Sequence, residues 1–440
     1  MAEQYENISP IDGRYRSLTR EVSYFFSEFA LISYRIMVEI EYFIKLSQTL
    51  GFEVPVDKLR TLYRSVNQAD VTRIKAIEDI TNHDVKAVEC FLREKCHQLG
   101  IGHTHFLHFG LTSQDINNTA LSLSVLDYTK DQFFKHLENI VDLIQTKGET
   151  WQHITMLART HGQPAVPTTL GKEMKVFSYR LNQQYIELRL IRIHSKFGGA
   201  SGNLNAHYFA YPNIDWCKFG TEFLAGFNLK KNSVTTQIDS YDNLSQIFDN
   251  IKRLCTILID FTRDIWHYIS IEYLMQSYVS DEVGSSTMPH KINPINFENA
   301  EGNLMLAVSL FEFFSRKLPI SRLQRDLTDS TVTRNIGVAF GHLAVAYANI
   351  VKGLAKVEPN LEKISQDLDD NVIVLTEGIQ TIMRKYGDEN AYEKLKSLSR
   401  NNEGITMSGL RHFIQDLDVP EAAKREMMKL NMHNYIGTSA

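Results

Sequence analysis

Basic runs, cysteine pairs and long apolar stretches are all missing from this chain of 440 residues. Lysine and arginine number 47 against 52 aspartates and glutamates, a formal net charge of −5. A surface that grips nucleic acid non-specifically needs the opposite balance, with cations clustered on one face. The four cysteines, Cys90, Cys96, Cys217 and Cys255, form no CxxC pair, and in a chain this long they read as reduced thiols rather than as a disulfide framework. No run approaches the ~18 consecutive apolar residues that a transmembrane helix requires. The opening residues, MAEQYENISPIDGRY, are polar and acidic and read as neither a secretory signal nor a transit peptide. The glycine-rich GGASGN (198–203) lacks the GKS or GKT end of a P-loop, no GxGxxG follows a strand, and GxSxG does not occur. Nucleotide hydrolysis, hydride transfer and serine-hydrolase chemistry therefore lose support. The expectation is a cytoplasmic globular protein of roughly two to four domains.

Helical periodicity fills the space that these absences leave. Leu244, Ile247, Ile251, Leu254, Leu258, Phe261, Ile265 and Ile269 recur at steps of three or four, which lines one helix face. Helix-compatible sequence continues from about Asn243 to Tyr278, a rod of roughly 50 Å. Phe25, Phe29, Ile32, Ile36, Ile40 and Phe43 form a second stripe. Phe133, Leu137, Ile140 and Ile144 form a third, which predicts a helix end at Gly148. Further helices are expected over about 170–195, 296–316 and 330–357, and strand-like alternation is confined to ITMLART (154–160). The fold class is mainly α, in three regions: 1–108 with short helices, 109–356 with long ones, and 357–440 with short amphipathic helices again. The long helices carry apolar residues on more than one face, which predicts packing between subunits.

Two of the ten prolines fall within GSSTMPHKINP (284–294), where Pro289 and Pro294 remove N–H donors and turn the preceding residues away from αR. That stretch must be an irregular cationic loop entering a helix at about Asn296. TNHDVKAVE (81–89), HFGLTSQDINNTA (108–120), RTHGQPAVP (159–167) and LPISRLQRDLTDSTVTRN (318–335) share its polar character and its place between helices. In the last of these, Asp329 or Ser330 is an N-cap candidate that would put Ser330, Thr331 and Arg334 on a first helical turn, with Arg322 and Arg325 upstream. Hydroxyls and an arginine there suit a phosphate; a capped helix with solvated arginines is the plainer alternative. His103, His105 and His108 are spaced like metal ligands, but no cysteine lies nearby and Asp115 is the only close carboxylate downstream. The set is incomplete for zinc, no metal is expected, and His103 and His105 read as surface loop residues.

GSSTMPHKINP matches, at every fixed position, the pattern GSSxMPxKxNP of the fumarase/aspartase superfamily, and the chain resembles that superfamily along its whole length. HFGLTSQDINNT is similar to its second shared region and RTHGQPAVPTTLGKE to its third. THGQPA, SPIDGRY, TNHDVKAVE, LPISRLQRDLTDSTVTRN and NYIG (434–437) resemble the adenylosuccinate-cleaving family in its bacterial form. The resemblance implies a homotetramer with a shared central bundle of long helices, active sites built from more than one subunit, and no metal or organic cofactor. It implies β-elimination of fumarate, from adenylosuccinate to give AMP and from the succinylated aminoimidazole carboxamide ribotide to give its carboxamide, both in purine synthesis.

By the same resemblance His161 is the acid that protonates the departing nitrogen and Ser285 the base that removes the proton beside a carboxylate, roles typically worth ~10²–10⁴-fold each. A serine acts as a base only where water is excluded and cations and N–H donors surround the alkoxide. Lys291 and Asn293 would stabilise the resulting aci-carboxylate. Arg14, Tyr15, Asn82, His83, Asp84, Thr112, Ser113, Gln237, Ser286, Asn299, Arg325, Ser330, Thr331 and Arg334 would line the substrate site. The phosphate would meet the turn from Ser330 to Arg334 together with Arg14 or His83, and Asp84 would orient a histidine. Two other readings stand beside this one: a relative such as argininosuccinate lyase, and a non-catalytic scaffold, against which His161, Ser285 and Lys291 together speak.

Overall fold

The computed structural model describes residues 6–277, 288, 290–399 and 405–438. Helices carry the fold, and strands among the described residues form three separate two-stranded pairings, which bears out the mainly α class. The chain divides into two compact units, each assembled from three stretches: Met1–Glu138, Gln183–Ile259 and Ala300–Ala348 make the first, and Asn139–Asn182, Asp260–Asn299 and Asn349–Ala440 the second. The helices Phe134–Thr150, Leu170–Leu190, Asp242–Ser270, Ile295–Lys317 and Ile336–Leu354 contribute residues to both.

The expected apolar stripes are largely buried, although Phe29 is exposed, and helix ends depart from expectation. The stripe from Phe25 to Phe43 is split between the helices Arg16–Phe26 and Glu28–Leu50, because Ser27 is extended and its hydroxyl accepts the Ala30 N–H at 3.2 Å. An N-cap serine satisfies a donor that a continuous helix would not need to expose, so the chain turns there. From Glu28–Leu50, Ile32, Ile36, Ile40 and Phe43 pack with Ile74, Val88 and Leu92 in one core cluster of the first unit. The helix that buries Leu244 through Ile265 stops at Ser270 rather than near Tyr278. Glu272 takes a left-handed φ of 64°, and Leu274–Gln276 then pairs antiparallel with Val357–Pro359. Strand pairing supplies the backbone bonds that a longer helix would have made.

Gly148 does not end its helix. Phe134–Thr150 runs through it, and a Cβ on Gly171, in Leu170–Leu190, would lie 2.3 Å from the Gly148 carbonyl oxygen and 2.5 Å from the Gln152 backbone. The glycines permit a backbone approach that no side chain allows. The expected helix over about 330–357 is two helices, Thr328–Thr333 and Ile336–Leu354. The segment Thr328–Leu354 is long and apolar enough to cross a membrane by composition, yet 61% of its most apolar window is buried inside the protein, as a core helix would be. ITMLART forms a strand as expected, Thr155–Thr160, paired antiparallel with Gln163–Thr169.

Gly171→Ala is expected to lower the free energy of unfolding by about 3 kcal/mol through overpacking. Gly302→Ala, in the helix Ile295–Lys317 where an added Cβ meets nothing within 4 Å, should raise it by about 0.5–1 kcal/mol. Urea titrations of the two variants beside the parent measure both, and equal effects would remove the packing argument.

Candidate active site

In the first unit, the residues expected to bind substrate sit where helices begin and end. Arg14 is exposed beside Tyr15, which precedes the helix Arg16–Phe26. TNHD is a joint between two helices. Asn82, at φ 49°, closes Gln68–Thr81, and His83 caps Asp84–Gln98 by accepting the Lys86 N–H on Nδ1 at 3.1 Å. That acceptor role puts the proton of a neutral ring on Nε2.

Asp84 Oδ2 accepts from two guanidinium groups, Arg35 Nη2 at 2.5 Å and Arg334 Nη2 at 3.1 Å. Burial alone would raise the Asp84 pKa, but the charge of Arg35, the Val85 N–H and Arg334 together hold it below the ordinary carboxylate value. Arg35 Nε also donates to Asn117 Oδ1 at 2.8 Å. His83 Nδ1 lies 3.9 Å from Asp84 Oδ1, too far to bond, so Asp84 aligns arginines here. Arg35 stands in no segment with a legible motif, and Asn117, although within HFGLTSQDINNTA, has no role that the motif itself assigns; the part of both emerges only from the contact.

Thr112 and Ser113 open the helix Ser113–Tyr128 through a capping box in which Asp115 Oδ2 accepts the Thr112 N–H at 2.9 Å. Asp115 Oδ1 accepts the Gly198 N–H at 2.8 Å and lies 2.7 Å from Lys196 Nζ, and neither charged side chain exposes any surface. Burial lowers the Lys196 pKa, and the Asp115 charge offsets only part of that. Gln237 ties the neighbouring loops, donating its N–H to Gln324 Oε1 and its Nε2 to the Ala200 carbonyl, each at 3.1 Å.

The helix N-terminus expected at Asp329 or Ser330 is not there. The short helix is Thr328–Thr333, so Ser330 and Thr331 lie within it and Arg334 is its C-cap. Asp326 accepts both the N–H and the hydroxyl of Thr328 and starts the turn earlier, since a carboxylate with two local donors competes well for a helix start. What converges instead is a polar network. Arg325 Nη2 donates to Ser330 Oγ at 2.9 Å and lies 3.6 Å from Asp329 Oδ1, while Tyr241 donates to Asp329 Oδ2 at 3.1 Å. Arg35, Asn117, Asn118, Tyr241, Ser330 and Arg334 are among the residues lining a cavity of ≈ 60 Å³. Arginines and amide groups around a cavity suit an anion.

In the second unit, RTHGQPAVP is a β-hairpin rather than a loop between helices. Thr160 pairs with Gln163 across His161 and Gly162, at φ of 54° and 73°. Two positive φ values define the turn that matches strand twist, and Asn-Gly is its favoured sequence; a histidine held left-handed costs of order 1–3 kcal/mol. The hairpin is braced near its tip, where Arg159, which pairs with Pro164, donates Nη2 to Asp367 Oδ2 at 2.7 Å and Tyr273 OH donates to the same oxygen at 2.9 Å. His161 is exposed at this braced, strained tip. Lys291 is exposed, with its N–H donated to the Met288 carbonyl at 3.1 Å. Asn293 precedes the helix Ile295–Lys317, and Asn299 Oδ1 accepts Asn349 Nδ2 at 3.0 Å. Ser285 and Ser286 lie outside the described residues.

Among the described residues no three or more His, Cys, Asp or Glu side chains are arranged to hold a metal ion. His103 and His105 are exposed, as expected, while His108 is half-buried against the fully buried Glu39, Nδ1 to Oε1 2.6 Å.

Residues 54–308 match the lyase family model and residues 321–436 the adenylosuccinate lyase C-terminal model. The chain is 50% identical to adenylosuccinate lyase of Dictyostelium discoideum, 45% to that of Vibrio cholerae and 43% to that of Escherichia coli, each over 98% of this chain and 96% of the relative. Its structure is similar to fumarate lyase from Mesorhizobium, with a TM-score of 0.76 at 18% identity, and to β-carboxy-cis,cis-muconate cycloisomerase from Acinetobacter calcoaceticus, 0.71 at 16%. Each match covers 96% of this chain and 95% of the other. At such identities the likeness is one of fold.

Lys196→Met leaves Asp115 buried without its cation and should cost about 3–5 kcal/mol of unfolding free energy. Asp115→Leu should cost more, because it also orphans the N–H groups of Thr112, Gly198 and Gly199; the reverse order in chemical unfolding would refute this account. For His108, burial lowers the imidazole pKa but the Glu39 charge overcomes it and leaves the value raised. Stabilisation by this pair is therefore full below the unfolded value of ~6.5 and is lost as pH rises through the folded value. The stability difference between the parent and His108→Gln should accordingly shrink as pH rises above about 6.5, and growth in that direction would reverse the sign.

Proposed function

Because the chain belongs to the adenylosuccinate lyase family of the fumarase/aspartase superfamily, we propose that it eliminates fumarate from adenylosuccinate to give AMP. By the same chemistry it releases fumarate from the succinylated aminoimidazole carboxamide ribotide to give the carboxamide. It is a carbon–nitrogen lyase of purine biosynthesis, and the observation that carries this is 50% identity over 98% of the chain.

Elimination needs a proton taken from the carbon beside a carboxylate and another given to the leaving nitrogen. His161 is assigned as the acid; its support is the exposed, left-handed position at the hairpin tip. Ser285 is assigned as the base on its place in the GSSTMPHKINP motif, with Ser286 beside it. Lys291 and Asn293 hold the aci-carboxylate, where donors that need not reorganise are worth most. Arg325, Ser330, Thr331 and Arg334, with Arg14 or His83, take the phosphate. Tyr15, Asn82, Asp84, Thr112, Ser113, Gln237 and Asn299 line the rest of the substrate site. The reaction needs no metal or organic cofactor.

The working form is a cytoplasmic homotetramer whose sites each draw on more than one chain. The exposed apolar side chains Tyr179, Ile186 and Leu190 on one long helix, and Met305, Leu306 and Phe313 on another, support packing between copies. The three regions 1–108, 109–356 and 357–440 serve as its domains.

Purified protein mixed with adenylosuccinate, without metal or nicotinamide, should release fumarate and AMP in equal amounts on chromatography; a folded protein that releases neither would overturn the reading. His161→Asn suits the turn and should leave the melting temperature unchanged or raised, while turnover falls by ~10²–10⁴-fold. Turnover close to the parent's would strip His161 of its role.

A further inference from the structure

Asp84 is shared by two arginines that differ in burial. Arg35, on the helix Glu28–Leu50, is 3% exposed and reaches Asp84 Oδ2 through Nη2 and Asn117 Oδ1 through Nε. Arg334 is 43% exposed, lies 3.1 Å from the same carboxylate oxygen, and has Glu28 Oε2 at 3.6 Å. The buried guanidinium has no water to turn to, and losing its counter-ion would strand a charge. The exposed one gives up far less on leaving, because water replaces its contacts and Glu28 keeps Lys75 at 3.5 Å.

Arg35 therefore spans two parts of the substrate site at once. One arm fixes Asp84, next in sequence to Asn82 and His83; the other fixes Asn117, one turn into the helix that starts at Ser113. We infer that Arg35 is a positioning residue: it clamps Asp84 to Asn117 and, by keeping the Asp84 carboxylate occupied, lets Arg334 move from Asp84 and Glu28 onto an anionic group of the substrate. This rests on the substrate-site reading above. Arg35 lines the same cavity as Arg334, but its guanidinium is committed to Asp84 and Asn117, so its part is to position those groups rather than to take the anion. A lysine could not reproduce it, since one ammonium lacks the planar fork that serves a carboxylate and an amide together.

The test compares the full-length parent with Arg35→Met and Arg35→Lys. In Arg35→Met, KM for adenylosuccinate should rise roughly 10-fold with kcat held within about threefold, the signature of lost substrate binding. Arg35→Lys should show a smaller rise. Hydrogen exchange of the unliganded protein should quicken at residues 82–86 in Arg35→Met and stay unchanged in the strand Gln163–Thr169. A purely structural role would reduce active enzyme, lowering apparent kcat at constant KM, and that result overturns the inference, as does unchanged KM with unchanged exchange. Should Arg35→Met fail to fold, Arg35→Lys carries the same two readouts. If the parent itself releases no fumarate, the functional reading has failed, and exchange at 82–86, which needs no substrate, decides alone: quickening upholds the clamp and its absence overturns it.

Discussion

A lysine and an aspartate with no exposed side-chain surface, 2.7 Å apart, hold the loops of the first unit to one another. Two charges out of water are tolerated only when their remaining donors and acceptors are also met. Lys196 donates to the Gly199 carbonyl as well, and Asp115 accepts N–H groups from Thr112, Gly198 and Gly199. One carboxylate thus sets both the start of the Ser113–Tyr128 helix and the course of GGASGN. From there the constraint spreads through close backbone contact. A Cβ on Gly202 would fall 2.0 Å from the Thr235 carbonyl oxygen, and Gln237 bonds Ala200 on one side and Gln324 on the other.

Two of the arginines of the first unit, Arg334 and Arg325, are held against carboxylates. Arg334 rests on Asp84 and Glu28, and Arg325 on Asp329 and Ser330. Like charges assembled for an anion would otherwise repel. Burial separates these two from Arg35, which is 3% exposed against 43% for Arg334 and has no water to replace its carboxylate.

Three histidines show how little residue type says by itself. His207 is fully buried beside Tyr42, and burial brings its pKa down to about 4; His108 is pulled the other way by Glu39; His161 stands exposed on a hairpin. All three occur near glycines or aromatic residues in the sequence, and neighbours in sequence do not distinguish them. The hairpin itself was hidden because its second strand contains two prolines, which argue against a strand unless it is short or at an edge. Helix interiors were legible and their ends were not: Ser27 caps where periodicity continues, and Asp326 starts a turn earlier than Ser330 would.

Apolar spacing is a local property, readable from a window of residues, and it determined the mainly α class and which faces of Glu28–Leu50 and Asp242–Ser270 are buried. The motif GSSTMPHKINP, with the segments around it, pointed to the family and the type of chemistry, because it meets every fixed position of the superfamily pattern in one short stretch. The pairing of Lys196 with Asp115, of Arg35 with Asp84 and Asn117, and of Arg159 with Asp367 was decided by the tertiary structure alone. A charge carries no mark of its partner in the sequence. Distance, burial and the direction of a side chain select it, and these exist only once the helices have packed.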